Sequence, residues 1–211
     1  VIAETETMLI KNRIFLDRTQ GVGILTKSRA IELGCTGVIG RAAGIPYDVR
    51  KDNPYMVYGE LDFEVPVGQD GDNWDRFMCR FEEVQQSLRI LEQCLDKLPD
   101  SGPVSVSDPR ITLPPKSEVY NTIEGTIAHF KLIMEGVKPE KGEVYSFTEA
   151  GNGELGFFIV SDGSGTPYRV RVRPPCWFNL QAVREMVMGD MIADIIPTFG
   201  SINMIGGECD R

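Results

Sequence analysis

Two carboxylates near the carboxyl end of the sequence have a spacing that suits proton chemistry. Asp190 and Asp194 are four residues apart, so a helix would place both on one face. Asp194 is surrounded in the sequence by apolar residues, namely Met191, Ile192, Ile195 and Ile196. A carboxylate buried among such neighbours must be paired, hydrogen-bonded or protonated, because burial disfavours its charged form. Asp194 is therefore a candidate for proton transfer. The alternative is a structural carboxylate that binds an arginine or the backbone.

Three arginines at alternate positions form a second candidate. Arg169, Arg171 and Arg173 are separated by single valines, and a β-strand would place the three guanidinium groups on one face. Like charges about 7 Å apart along a strand are unfavourable unless carboxylates or a polar ligand lie opposite them. The row therefore indicates a binding face, a solvated face or structural ion pairs.

A third candidate is the pair Glu149 and Glu154, which flank the segment Ala150-Gly151-Asn152-Gly153. Glycines at a tight turn allow a close approach of the backbone, so a ligand could meet a carboxylate there. The alternative is a hairpin turn without a chemical role.

Composition and charge exclude several classes of function. The formal net charge of -9 argues against nucleic-acid binding, which requires a continuous basic surface. The sequence contains no apolar run near the ~20 residues that a membrane-spanning helix requires. The five cysteines lack Cys-x-x-Cys spacing, which favours reduced thiols over a metal or redox motif.

Two further features are interpreted as structural. His129 is the only histidine, so this chain alone cannot form a multi-histidine metal site, and its apolar surroundings in the sequence favour a packed core residue. The glycines at 34, 37, 40 and 44 do not match a phosphate-binding fingerprint. We therefore predict no nucleotide site in this chain.

Two helices are predicted in the middle of the chain. From Asp75 onward apolar residues recur at alternating spacings of four and three, at Phe77, Phe81, Val84, Leu88, Leu91 and Leu95. A proline-rich linker over 98–115 cannot be helical. The second helix, over about 118–136, carries an apolar stripe of Ile123, Ile127, Phe130 and Met134. We expect the two helices to pack antiparallel.

The rest of the chain is predicted to combine short helices with a small sheet. The segment Asp162–Gly165 is a turn signal between two alternating segments, which predicts a β-hairpin, with a third strand before it. A last helix is expected to begin at Asn179 and to end at Pro197. The predicted fold class is mainly α with a small antiparallel β hairpin or three-stranded sheet.

Long stretches of the sequence resemble one family. The stretch from Gly34 to Leu91 contains GCTGVIGRAAGIPYDVRKDNPYMVYGELDFEVPVG and DRFMCRFEEVQQSLRIL, and the stretch from Gly142 to Pro174 reads GEVYSFTEAGNGELGFFIVSDGSGTPYRVRVRP. These stretches and the closing GECDR are similar to the D-type subunit of respiratory NADH:quinone oxidoreductase, the hydrogenase-like component of its quinone chamber. That family is related to the large subunit of nickel–iron hydrogenases. The resemblance covers nearly the whole chain.

The resemblance implies a partial nickel–iron hydrogenase large-subunit fold, with residues 1–211 as a single C-terminal portion of the subunit. The chain would be either a fragment of a longer protein or a severely shortened relative. The expected parts are an irregular segment with a short helix (1–74), a helical hairpin (75–136), a β-hairpin (143–174), and a helix with a C-terminal tail (178–211). In the family, the histidine and tyrosine that bind the quinone headgroup belong to the N-terminal half. We therefore expect the isolated chain to be inactive.

The resemblance also implies a place in respiratory complex I, as a peripheral-arm subunit on the cytoplasmic face of the membrane. The chain would supply one wall of the quinone-reduction chamber, with quinone as the substrate. Electrons would arrive from a four-iron cluster in a neighbouring iron–sulfur subunit, and this chain alone would bind no cofactor or metal. Other peripheral-arm subunits are the expected partners.

The closing residues carry the expected site. Related hydrogenases hold their metal centre with the cysteines of an Asp-Pro-Cys-x-x-Cys motif, and the resemblance places Ile205 and Glu208 at the two cysteine positions. The former metal pocket would thus enclose a quinone. The candidate catalytic residues are Asp194, Glu208, Asp210 and Arg211. The candidate quinone-binding residues are Arg169, Arg173 and Ile205, and family members carry arginines at both of those arginine positions.

Two positions depart from the family's pattern. Family members commonly carry a basic residue where this chain has Asn152, and an aspartate where it has Asn203. Both departures remove a charge, so we expect the proton chemistry of the pocket to be altered.

Two other functions remain open for the same residues. The chain could be a non-catalytic scaffold or assembly fragment, whose exposed apolar helix faces pack against partner subunits or a second copy of the chain. It could also be a hydrogenase relative with a metal centre, which the missing cysteine pairs disfavour.

Overall fold

The computed structural model of the chain describes residues 2–210, with the backbone alone at residues 2 and 3. About half of the chain is helical, and three strands form an antiparallel sheet. The predicted combination of helices with a small three-stranded sheet is therefore confirmed. The relation to the hydrogenase large-subunit fold stays a prediction.

The helices are α1 (Ile2–Leu9), α2 (Arg13–Thr19), α3 (Lys27–Glu32), α4 (Val38–Ala42), α5 (Val49–Asp52), α6 (Asn73–Asp96), α7 (Lys116–Asn121), α8 (Ile123–Met134), α9 (Pro175–Gln181), α10 (Val183–Val187), α11 (Ile195–Ile202) and α12 (Gly206–Cys209). Short 3-10 helices lie at Tyr58–Glu60 and Ile192–Asp194. The strands are β1 (Gly142–Ala150), β2 (Gly153–Ser161) and β3 (Arg169–Arg173), in the order β1-β2-β3. Among the described residues, no helix is both long and apolar enough to cross a membrane.

The described residues form two compact units. The first unit draws on Val1–Asp96, Phe147–Gly156 and Arg173–Arg211, and the second on Lys97–Ser146 and Phe157–Val172. The main core cluster of the first unit comprises Leu25, Ala30, Cys35, Ile39, Ala43, Ala182, Met186 and Ile202. Helices α3 and α4 therefore share a core with α10 and α11, although more than a hundred residues of sequence separate them.

Helix α6 lies close to its predicted bounds and is tied to α11 by Arg76, which is fully buried. The Arg76 guanidinium donates hydrogen bonds to the carbonyl oxygens of Gly23 (2.6 Å) and Gly71 (2.8 Å). It also donates to Asn73 Oδ1 (2.6 Å) and to Ser201 Oγ on α11 (2.9 Å). A buried guanidinium needs several acceptors, and these four hold the first turns of α6 in place.

The apolar stripes of the two predicted helices are largely exposed. The second helix is divided at Thr122, whose extended backbone separates α7 from α8 and whose hydroxyl accepts the N–H of Gly125. Along the apolar stripe of α6, exposure increases from the half-buried Phe77 to Leu95, which is 71% exposed. On α8, the stripe residue Met134 is 68% exposed. Antiparallel packing of the two helices stays a prediction. His129, expected in a core, is half-buried.

The prediction of one last helix from Asn179 to Pro197 is wrong. That region contains α9, α10, a 3-10 turn and the start of α11. Gly189 has a φ of +100°, which a continuous helix does not allow. Pro197 lies in the first turn of α11. The N–H groups of a first turn have no partner within the helix, so a proline, which has no N–H, removes no helical hydrogen bond there. Asn179 lies inside α9 and is fully buried, and it is not a helix cap.

Candidate functional site

Four segments of the first unit meet around Asn152 and Cys176. They are the loop at Thr36, the turn between β1 and β2, the start of α9 and the residues after α11. The residues in contact there, here called the C-terminal cluster, are Thr36, Asn152, Arg173, Cys176, Asn179, Asn203, Ile205 and Glu208. Ile205 takes part through its backbone N–H. The cluster contains three of the residues that the sequence predicted for the site, namely Arg173, Ile205 and Glu208.

Two glycines allow the first two segments to touch. Gly37 has a φ of +69°, and a Cβ there would lie 2.5 Å from the carbonyl oxygen of Asn152. Gly153 has a φ of +131°, and a Cβ there would lie 2.6 Å from Thr36 Oγ1. Both positions favour glycine through the backbone angle and through the lack of space. The sequence predicted a close backbone approach at this turn, and the structure shows that the approaching group is the Thr36–Gly37 loop.

Asn179 bridges these two segments from inside α9. Its Oδ1 accepts the backbone N–H of Thr36 (3.3 Å), and its Nδ2 donates to the carbonyl oxygens of Thr36 (3.3 Å) and Asn152 (3.0 Å). An amide supplies both donors and acceptors in one side chain. Because Asn179 also fits the pattern of a helix cap, its sequence position gave no signal for this role.

Arg173 is held by three segments at once. Its guanidinium donates to the carbonyl oxygens of Glu154 (2.6 Å) and Gly34 (3.0 Å) and lies 3.5 Å from Thr36 Oγ1. Its Nε is 3.6 Å from Glu154 Oε1, and the group stacks 4.6 Å from the ring centre of Phe178. These contacts make Arg173 a fixed part of the cluster.

Glu208 and Cys176 connect the C-terminal residues to the start of α9. Glu208 Oε2 accepts the backbone N–H of Cys176 (2.9 Å), one of the N–H groups that lack a partner within the helix. The Cys176 sulfur accepts the Nδ2–H of Asn152 (3.2 Å) and the backbone N–H of Ile205 (3.4 Å). Burial raises the pKa of the Cys176 thiol, and Glu208 adds to the effect, so the thiol is neutral at neutral pH.

Asn152 and Asn203, the two residues expected to depart from the family's pattern, bind each other. Asn152 Nδ2 donates to the carbonyl oxygen of Asn203 (3.0 Å), and Asn203 Nδ2 donates to Asn152 Oδ1 (3.2 Å). A pair of neutral amides therefore occupies this part of the cluster.

Asp194 lies in a different part of the first unit. It is buried, as the sequence predicted. The neighbouring side chains of Ile192 and Ile196, however, are 87% and 79% exposed, so these two residues do not enclose the carboxylate. Its Oδ1 lies 2.9 Å from Arg18 Nη2 as an ion pair, and its Oδ2 accepts the N–H of Met191 (3.2 Å). These contacts are those expected of the structural alternative, a carboxylate that binds an arginine and the backbone. A role of Asp194 in proton transfer stays a prediction.

The remaining predicted site residues have more open surroundings. Arg169 belongs to the second unit and is exposed, Asp210 is exposed, and Ile205 is half exposed. Arg211 lies outside the described residues. Asp190 is exposed too, and its Oδ2 accepts the N–H of Gly23 (2.9 Å).

A buried group of charges around Arg41 was not predicted as such from the sequence. Arg41 binds Glu83 (2.7 Å) and Glu149 (2.9 Å), and it lies 3.7 Å from Asp48, which is bound in turn by Arg50. Burial raises the pKa of Glu149, although Arg41 acts in the opposite direction. The carboxylate of Glu149 thus has a structural partner inside the protein, and the charges lie too far apart in sequence for a pattern to reveal them.

Glu154 extends the cluster toward a tyrosine. Tyr47 Oη donates to Glu154 Oε2 (2.7 Å). Burial and the Glu154 carboxylate raise the pKa of Tyr47, so the phenol keeps its proton at neutral pH. The chain of contacts from Tyr47 through Glu154 to Arg173 leaves each of these groups with a partner.

A cleft of about 740 Å³ in the first unit is acidic, but it does not involve the predicted site residues that the structure describes. Its lining includes Asp70, Asp72, Asp75 and Glu82 together with Trp74. Asp75 accepts backbone N–H groups of the preceding loop, and Asp72 accepts that of Gly21. Asp72 and Asp75 thus have structural roles. Within residues 2–210, no three His, Cys, Asp or Glu side chains are placed to hold a metal ion.

Comparison with known proteins gives one family over the whole chain. The model of the family described as the 49 kDa subunit of respiratory-chain NADH dehydrogenase matches residues 1–211. The chain is 61% identical to a D-type subunit of NADH-quinone oxidoreductase from Sorangium cellulosum, with 100% of this chain and 52% of that protein covered. It is 54% identical to the D-type subunit of the same enzyme from Myxococcus xanthus, again over 100% of this chain and over 51% of the relative. The chain thus spans about half the length of the curated relatives it matches.

Proposed function

Since the chain belongs to the family of the 49 kDa subunit of respiratory-chain NADH dehydrogenase, we propose that it supplies one wall of a quinone-reduction chamber. The reaction there converts a quinone, two electrons and two protons into a quinol. A four-iron cluster in a neighbouring iron–sulfur subunit would supply the electrons. The chain would act at the cytoplasmic face of the membrane, within a fold like that of the hydrogenase large subunit.

The observation that carries this proposal is the fixed position of residues 203–208. Two other segments hold them. Asn152 in the turn between β1 and β2 binds Asn203, and Cys176 at the start of α9 binds Ile205 through its sulfur and Glu208 through its backbone N–H. A binding wall must be held firmly to orient a substrate. Ile205 lies in this fixed segment with half of its side chain exposed, so it offers an apolar contact to a quinone ring.

The proposed roles follow from the surroundings of each residue. Glu208 and Arg173 shape the wall, since their polar atoms already bind backbone groups. Asp194, paired with Arg18, would contribute to the electrostatics of the chamber. The exposed Asp210 and, at the end of the chain, Arg211 would exchange protons or steer the headgroup, and Arg169 would contact the quinone.

Quinone binding tests the proposal directly. The purified chain is combined with the portion of the Sorangium cellulosum relative that it does not cover, and a ubiquinone analogue is titrated by fluorescence quenching. We expect saturable binding that Ile205→Ala weakens about tenfold, because an apolar contact is lost, and that Ile192→Ala leaves unchanged. The absence of saturable binding with both portions present would refute the quinone chamber.

A scaffold role is the second candidate, and the exposed helix stripes favour it. Leu91 and Leu95 on α6, and Ile123 and Met134 on α8, are all more than half exposed. Exposed apolar surface of this kind is typical of protein contacts. If the chain forms a stable complex with other peripheral-arm subunits but no quinone binds the assembled complex, the scaffold role is the correct one.

A further inference from the structure

We propose that Asn152 is a positioning residue, which fixes the segment from Asn203 to Glu208 against the start of α9. The amide of Asn152 would thereby set the place of Ile205. The link to quinone rests on the proposed function, whereas the positioning itself rests on contacts within this chain.

The Asn152 side chain reaches both elements at the same time. Its Nδ2 donates to the sulfur of Cys176 on α9 and to the carbonyl oxygen of Asn203 after α11. Its Oδ1 accepts from Asn203 Nδ2. Both donor hydrogens and one acceptor site of the amide are used, and the side chain is buried. Asn152 is thus a direct bridge between the start of α9 and the C-terminal segment.

The main chain of Asn152 is fixed independently of its side chain. Its carbonyl oxygen accepts the Nδ2–H of Asn179, and the adjacent Gly153 packs on Thr36. A bridging amide can hold a mobile segment only if its own backbone is held. The turn between β1 and β2 meets that condition, so the bridge acts on the C-terminal segment and leaves the turn in place.

An aspartate could not replace the amide, although it has nearly the same shape. A carboxylate has no hydrogen to donate to the Cys176 sulfur or to the Asn203 carbonyl oxygen. It would also place a charge in a buried position close to the region where Glu208 binds α9. Asn152→Asp therefore removes the bridge at almost constant volume.

Asn203 offers a way to weaken the bridge by one hydrogen bond, the one from Asn203 Nδ2 to Asn152 Oδ1, without disturbing the backbone. Its φ of 55° and ψ of 47° are left-handed, and its N–H binds the carbonyl oxygen of Gly200 at the end of α11. Glycine adopts this conformation without strain. Asn203→Gly therefore deletes one side-chain amide, keeps the helix end, and leaves the donors to the Cys176 sulfur unchanged.

The test is residue-resolved alkylation of cysteines in the purified chain, measured by mass spectrometry. Cys176 is fully buried beneath the C-terminal segment, and Cys35 is buried in the main core. Local release of the segment accelerates alkylation of Cys176 alone, whereas general loosening accelerates both cysteines. The ratio of the two rates therefore reports positioning and is insensitive to a general loss of stability.

We expect Asn203→Gly, which removes one hydrogen bond, to raise the Cys176 to Cys35 rate ratio about fivefold. Asn152→Asp removes two donated hydrogen bonds and should raise the ratio by more than about tenfold. Asn53→Asp is the matched control, because it makes the same chemical change at an exposed position and should leave the ratio unchanged. An unchanged ratio in both test variants overturns the proposal, as does an equal rise for the two cysteines. Alkylation needs no quinone, so a failure of quinone binding counts against the proposed function alone.

Discussion

Arg76 is a buried cation whose hydrogen-bond acceptors come from two loops, from its own helix and from α11. Burial lowers its pKa to about 10, so the group stays charged at neutral pH. Arg76→Lys replaces the planar guanidinium group with a single ammonium group, which cannot reach all four acceptors. We expect the free energy of unfolding in urea to fall by about 2–4 kcal/mol. The exposed Arg89→Lys, at a surface ion pair with Asp62, should change it by less than about 0.5 kcal/mol.

Glu149 should make stability depend on pH. Burial raises its pKa in the folded protein above the ordinary value, so the folded state favours the protonated acid. The contribution of Glu149 is therefore fully present below the unfolded pKa of about 4.3 and is lost as pH rises through the folded pKa. Relative to Glu149→Gln, the wild-type chain should lose stability as pH rises from about 4 to 7. Urea midpoints across this range measure the difference, with the exposed Glu64→Gln as control. A difference that grows with pH would contradict the assigned shift.

Cysteine reactivity gives another prediction at the residue scale. Burial raises the pKa of Cys35 to about 11 and that of Cys79 to about 12. Since the thiolate is the nucleophile, both residues should resist iodoacetamide at pH 8 in the native chain, while the half-buried Cys94 and Cys209 react. All five cysteines should react in urea. Fast native labelling of Cys35 would show that the core is open.

The crossing of the Thr36–Gly37 loop with the Asn152–Gly153 turn is the critical contact at the scale of elements. Gly37→Ala adds a Cβ 2.5 Å from the Asn152 carbonyl oxygen, at a φ of +69°. The steric conflict and the backbone strain should lower the free energy of unfolding by about 2–4 kcal/mol. Gly207→Ala is the control, because a Cβ there meets nothing within 4 Å. Equal effects of the two substitutions on the urea midpoint would contradict the close crossing.

The elements that the sequence predicted well are those with a long local period. Helix α6 repeats its apolar residues over several turns, and the strands are bounded by glycine turns, so both patterns are set within a few residues. The prediction of one last helix is wrong because the apolar spacing continues across Gly189. The positive φ of this residue ends the helix, and apolar spacing contains no information about backbone angles. The roles of Asn152, Asn179 and Arg41 depend on partners far away in sequence, which no local pattern contains.

At the scale of the whole molecule, the exposed stripes should govern association. Leu91→Glu together with Leu95→Glu places charges on the exposed end of the α6 stripe. We expect the sedimentation coefficient of the purified chain to shift toward the monomer value at high concentration, with the urea midpoint nearly unchanged, because both positions are exposed. The matched change at a buried leucine, Leu25→Glu, should unfold the chain. A loss of stability in the double variant would show that the end of the α6 stripe around Leu91 and Leu95 packs within the chain.

The C-terminal cluster also implies an order of events during synthesis. Asn179 binds Thr36 across 143 residues of sequence, and the cluster is completed when Glu208 reaches the backbone of Cys176. Contacts of such long range form slowly, because a long loop must close first. Asn179 must therefore have left the ribosome before the Thr36 loop can find this partner, and until then a chaperone has the opportunity to bind the loop.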